Sequence, residues 1–163
     1  MKKIVAVVLM LVLCMSFVSC GKTKTTNNSE QVTTLVPAKE SEFADISSIV
    51  GKTAEDKSKL VLTKIYGQNR IYYVFNYDAD GKVIETCRYY QFTSKDLYEK
   101  KLKYQFEGTM IAQTCDIFIK NPNTFTIGVR ENDPTLGYDK GGYDETLKYY
   151  TSNTDSETDF KVV

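Results

Sequence analysis

The sequence contains no histidine, no tryptophan and only three prolines among 163 residues. Without His there is no Ser-His or Cys-His nucleophile pair and no imidazole metal ligand. Hydrolytic chemistry would have to rest on carboxylates, Lys or Tyr. Neither sign of charge is in surplus, with 21 Lys and Arg against 21 Asp and Glu. The basic face that nucleic-acid binding needs is therefore missing, and nucleic acid is not expected as a partner. No apolar run reaches the ~20 residues that a helix needs to cross a ~30 Å hydrocarbon core. Ile4 to Val18 comes nearest, apolar except for Ser16. No residue pattern calls for a metal or a cofactor, and none is expected.

The chain does have a characteristic start. Lys2 and Lys3 precede the apolar run, and small Ser19 follows it, just ahead of Cys20. A charged start, a short apolar stretch and a small-residue cleavage point describe a secretory signal peptide over residues 1–19. Phe17-Val18-Ser19-Cys20 resembles the lipobox of bacterial lipoproteins, with Phe17 in place of the usual Leu. The resemblance implies that Cys20 receives a diacylglyceryl thioether and becomes the new N-terminus. Two acyl chains hold a protein on a membrane where one holds only marginally. The expected location is the cell membrane, lipid-anchored and facing outside the cytoplasm. Lys2 and Lys3 would leave with the signal peptide, so the rest carries 19 basic and 21 acidic side chains.

Residues 20–40 contain TKTTNNSEQVTT and little that is apolar, which reads as a flexible tether. About 20 such residues reach roughly 25 Å. A single domain is expected over 41–152, followed by a polar tail over 153–163. Phe43, Ile46, Ile49 and Val50 fall at helical spacing between Ser41 and Gly51. Thr53 and Asp56 are spaced like a capping box for a second short helix to Lys59. Gly51-Lys52-Thr53 ends like a phosphate-binding loop, but position 46, where the motif needs Gly, is Ile.

From Leu60 the chain turns β-rich. Strands are expected over 60–66, 70–77, 82–92, 109–120 and 124–130, on β-branched and aromatic content. Asp78-Ala79-Asp80-Gly81 is a hairpin turn. With Asn76 it also matches the start of a calcium loop, but the position of the bidentate Glu is Cys87. A helix is expected from Ser94 to about Phe106, with Leu97, Tyr98, Leu102 and Phe106 on one face and four Lys opposite. Tyr143 to Tyr150 reads as another short helix. The order gives an α+β fold: an antiparallel sheet of about four to five strands with helices packed on one face.

Cys87 and Cys115 are the only cysteines in the folding part. In an oxidising compartment two such residues favour a disulfide, which would stabilise by about 3.5 kcal/mol for a loop of roughly 29 residues. The bond needs Cα atoms within about 7 Å. The other reading, two buried small hydrophobes, stays open. Ile49 to Asp56, followed by two strands and a Tyr-Asp-x-Asp-Gly-Lys-Val turn, resembles small β-lactamase-inhibitor-like lipoprotein domains. That resemblance covers residues 45–92 and implies protein–protein binding in the envelope. The Gly-x-Pro of those domains is absent here, and no functional residue carries over.

Three functional expectations follow. The first is a non-catalytic binding module on the membrane surface, with an envelope protein or cell-wall glycan as partner. Its candidate surface is Tyr72, Tyr89 and Tyr90 on a sheet face away from the helices, with Tyr138 and Tyr143 beside a Gly-rich loop. The second is an inhibitor or immunity-type lipoprotein. The third is a small envelope hydrolase using carboxylates among Asp133, Asp139, Asp144 and Glu145, two of which would have to flank a cleft.

Overall fold

Alternation of apolar and polar side chains, with β-branched and aromatic residues at most inward positions, organises three consecutive strands. These are β1 (Lys59–Tyr66), β2 (Asn69–Tyr77) and β3 (Val83–Phe92). Gly67, at φ +56°, makes the tight β1–β2 turn, where a side chain would be strained. The Asp78 carboxylate closes the β2–β3 turn by accepting from the backbone N–H groups of Asp80 and Lys82 at 3.0 and 2.9 Å. This uses the leading acid of the calcium-like pattern in an ordinary hairpin.

The computed structural model describes residues 36–107, 111–135, 137–152 and 158–163. All belong to one compact unit, Thr34–Val163. The expected signal peptide, Cys20 and the tether up to residue 35 lie outside the described residues. Two further strands, β4 (Cys115–Asn121) and β5 (Thr126–Glu131), extend the sheet on one side, and the short β6 (Lys161–Val162) extends it on the other. The sheet has six strands in the order β4-β5-β3-β2-β1-β6, and every pairing is antiparallel. The α+β class stands, with six strands rather than four to five.

Helix α1 (Ser47–Val50) and a 3₁₀ turn at Glu40–Glu42 precede the sheet. Packing begins upstream of Ser41: Ala38 is buried and donates its N–H to Gly67 O at 2.8 Å. The helix expected from Thr53 to Lys59 does not form. The Thr53 hydroxyl accepts from Val61 N at 2.9 Å and donates to Val61 O at 3.2 Å, so the side chain that would cap a helix instead pins the segment to β1. Helix α2 (Lys95–Lys101) starts at Ser94, whose Oγ accepts from Leu97 N, and continues as one wider π turn over Leu102–Phe106. The strand expected from Thr109 begins only at Cys115, after the single-turn helix α3 (Ile111–Thr114). Helix α4 (Tyr143–Tyr150) matches its expected bounds.

Both faces of the sheet are covered, which corrects the expectation of helices on one side. Ile46 and Val50 pack on Val61, Tyr72, Val74, Cys87 and Tyr89. The opposite face carries two clusters. Helix α4 and Phe160 cover Leu60, Leu62, Phe75 and Tyr77. The α2 region covers Phe92, Cys115, Ile127 and Val129 with Tyr98 and Phe106. Among the described residues, no helix is long and apolar enough to cross a membrane.

Candidate functional site: an aromatic groove beside a buried arginine

Arg88 lies in the middle of β3, between the two apolar clusters of the α2/α4 face, opposite Tyr73 on β2 and Val129 on β5. A buried guanidinium must find both countercharge and acceptors. Glu131, at the end of β5 and 7% exposed, provides the countercharge as an ion pair. Arg88 Nη1 donates to Tyr138 Oη at 2.7 Å and to Tyr90 Oη at 2.8 Å. Nη2 donates to Cys115 Sγ at 3.3 Å, and that thiol donates to Glu131 Oε2 at 3.1 Å. Burial alone would lower the Arg88 pKa, but the facing Tyr90, Tyr138 and Glu131 hold it above the ordinary range. Burial, then the bond to Glu131, pushes the Cys115 thiol up, so it stays protonated and non-nucleophilic near neutral pH.

Through Tyr138 this cluster fixes one wall of a groove of about 470 Å³. Arg88 Cζ stands 4.4 Å from the Tyr138 ring centroid, and Tyr150 Oη donates to Tyr138 O at 3.0 Å. Tyr73 on β2 forms the floor; its ring meets Tyr138 at 5.6 Å and Tyr150 at 5.3 Å, both edge to face. Phe160 closes the end, 4.9 Å from Tyr73. Tyr66 and Tyr149, 61% and 40% exposed, stand at the rim. Lys64 and Lys140 also line the groove. Their ammonium groups lie 5.5 Å from the Phe160 ring and 4.8 Å from the Tyr149 ring. Among the described residues, no carboxylate lines it.

The expected tyrosine surface is divided by this arrangement. Adjacent residues of a strand point to opposite faces, so Tyr89 and Tyr90 cannot share a surface. Tyr72 and Tyr89 face each other across β2 and β3 beneath α1, 8% and 7% exposed. They are core residues, and burial pushes the Tyr89 hydroxyl up to about 12. Tyr90 is half-buried between Arg88 and Phe106, and burial raises its pKa as well. Tyr138 does reach the groove. Tyr143 lies elsewhere, at a cavity of about 680 Å³ between the β2–β3 turn and the start of α4. The residues missed by sequence reasoning are Lys64, Tyr66, Tyr73, Lys140, Tyr149, Tyr150 and Phe160. Tyr73 was readable: it alternates in register with Phe75 and Tyr77.

The expected carboxylate set is dispersed into local roles. Asp139 accepts from Tyr77 Oη at 3.1 Å, from Thr146 Oγ1 at 3.0 Å, and from the N–H groups of Gly141 and Gly142 at 3.2 Å. It shapes the glycine turn into α4. Asp144 pairs with Lys57 at 2.7 Å. Asp133 accepts from Thr135, which holds its carboxyl below the usual range. Glu145 lines the Tyr143 cavity. Among the described residues, no group of three His, Cys, Asp or Glu side chains is placed to hold a metal ion.

Cys87 and Cys115 are both free and buried. Cys87 faces Arg130 and Cys115 faces Glu131, two adjacent residues of β5. The two thiols therefore point to opposite faces, with β5 between their strands. Strands two positions apart lie roughly 9–10 Å from each other, beyond the ~7 Å that a disulfide bridges. The candidate bond is not formed in this fold. Compared with protein-family models, curated proteins and solved structures, the chain matches none of them.

Proposed function

We propose that this protein is a membrane-tethered binding module, lipidated at Cys20 and displayed outside the cytoplasm, with the aromatic groove as its ligand site. Lys2-Lys3, the apolar run and Phe17-Val18-Ser19-Cys20 support the tether. The observation that carries the binding reading is an open groove walled by tyrosines and fixed from behind by a buried ion pair. Its volume lies within the few hundred to about 1,000 Å³ of small-ligand sites. A rigid back wall spares a ligand part of the ordering entropy that binding otherwise incurs.

Two experiments test this. Cys20→Ala should move the protein out of the membrane fraction or leave it as uncleaved precursor. Normal processing with full membrane retention would refute the anchor. Separately, the detergent-solubilised full chain should be retained on isolated cell envelopes, and Tyr66→Ala with Tyr149→Ala should abolish that retention. Retention indifferent to both rim tyrosines would refute the groove as the site.

A further inference from the structure

Gln68, in the β1–β2 turn, marks one end of the sheet. Its side-chain nitrogen donates to Val36 O at 3.1 Å, and its Oε1 accepts from Thr93 Oγ1 at 3.2 Å. The segment that follows the tether and the approach to α2 therefore meet at one turn. Helix α2 and its π turn stay at this end: Tyr98 packs on Phe92 and Phe125, and Phe106 on Tyr90. Along them, four lysines (Lys95, Lys100, Lys101 and Lys103) outnumber two acids (Asp96 and Glu99), a net of about +2. Lys95 pairs with Glu99 at 3.6 Å, which leaves the surplus at Lys100 to Lys103. Exposed Tyr104 follows, with Lys103 Nζ 5.1 Å from its ring centroid. Of the other charges here, Glu40 pairs with Arg70 and Glu107 with Lys120, and Lys39 stands beside Glu42. Gly108-Thr109-Met110 adds no charge.

The opposite end has the opposite sign. Around the cavity between the β2–β3 turn and α4, Asp56, Asp78, Asp80, Asp144 and Glu145 outnumber Lys57 and Lys82. Strand β2 runs from Asn69 to Tyr77, so the two ends stand roughly 27 Å apart. That exceeds the ~8–10 Å over which salt screens charge. A surface touching one end does not feel the other.

We infer that the end bearing α2 docks on anionic phospholipid headgroups, with Lys100, Lys101 and Lys103 in contact and Tyr104 at the interface. The inference rests on lipidation at Cys20. The 16 residues from Cys20 to residue 35 reach roughly 22 Å, which keeps the Val36 end beside the bilayer. Tyrosine suits the headgroup level, where its ring and hydroxyl are both satisfied. One basic charge beside an anionic leaflet is worth about fivefold in an equilibrium, so a net of two favours docking about thirtyfold. Inversion would bring the acidic end to the same surface and be repelled. Docking therefore turns the acidic cavity away from the membrane.

The sequence contains no tryptophan, so Tyr104→Trp in the lipid-anchored full chain supplies a lone fluorescent reporter. The protein is reconstituted on vesicles of phosphatidylcholine, with or without phosphatidylglycerol, carrying a headgroup spin-labelled lipid. Emission should be quenched on the phosphatidylglycerol vesicles, much less on neutral ones, and less as salt rises. Gln at positions 100, 101 and 103 together should cut the docked-to-detached ratio about a hundredfold and remove the quenching. Ile84→Trp, at an exposed site near the β2–β3 turn, should escape quenching on both vesicles. In the unsubstituted chain, phosphatidylglycerol should slow acetylation of Lys100, Lys101 and Lys103 but not of Lys82, as read by peptide mass spectrometry. Quenching at position 104 indifferent to phosphatidylglycerol or to the three lysines, equal quenching at position 84, or unchanged lysine reactivity would overturn the inference. Flotation with neutral vesicles reads the anchor separately. Flotation without oriented quenching would sink the docking and leave the tether standing, whereas no flotation would sink both.

Discussion

Glu131→Gln isolates the energetics of the Arg88 cluster, because it removes one charge and keeps the shape. The two side chains are 9% and 5% exposed, so water cannot take over the lost countercharge. Removing one partner of a buried pair costs about 3–5 kcal/mol. For a unit running Thr34–Val163 this corresponds to a fall in Tm of about 10–20 °C. Urea unfolding followed by circular dichroism should show a lower midpoint at unchanged slope. Arg88→Met should also destabilise, since Tyr90 and Tyr138 lose their donor and Glu131 is left uncompensated. The double variant removes both charges. It should be more stable than the sum of the single effects implies, by about 2 kcal/mol. Additivity within about 0.5 kcal/mol would refute the account, because it would mean that the two groups do not act as a pair.

Burial, then the nearby Glu85, raises the Cys87 thiol from its ordinary 9.0 to about 11. The folded chain holds that proton more tightly than the unfolded one. The resulting stability is full below about pH 9 and is lost as pH rises through 11, about 2–3 kcal/mol in all. Wild type should thus lose that much more than Cys87→Val between pH 8 and pH 11, in paired unfolding titrations; equal losses would contradict it. Native-state alkylation should leave Cys87 and Cys115 unmodified, and both should label in guanidinium without prior reduction, as read by peptide mass spectrometry. A reductant requirement would reveal a disulfide. Gly128→Ala should destabilise by about 1–3 kcal/mol in the same urea assay, because the new Cβ would stand 2.9 Å from Ile119 Cβ. A neutral result would show that β4 shifts freely.

Local chemistry was legible where one principle acted alone. Asp78 and Gly81 announced the hairpin, Ser94 the start of α2, and the β-branched and aromatic run from Ile71 the central strand. Errors arose where a distant partner decided the outcome. Thr53 looks like a helix cap until Val61, eight residues away, takes its hydroxyl. Tyr72 and Tyr89 look like binding residues until α1 covers them. The groove was the least legible part, since β2, the 137–140 loop, α4 and Phe160 meet there from distant parts of the chain. Only the tyrosine-to-strand alternation could have marked its floor.

The pairing of β6 with β1 bears on how the chain folds during synthesis. Leu62 is registered with Val162, a hundred positions later. A nascent chain emerges N-terminus first, at about 5–20 residues per second. The outer side of β1 therefore waits several seconds without its neighbour, while Phe160, the end wall of the groove, is still unmade. An unpaired strand edge is the template that association between chains uses. Crowded synthesis should therefore favour aggregation through β1, and a factor shielding that edge would protect this protein more than one whose first strand lies inside its sheet.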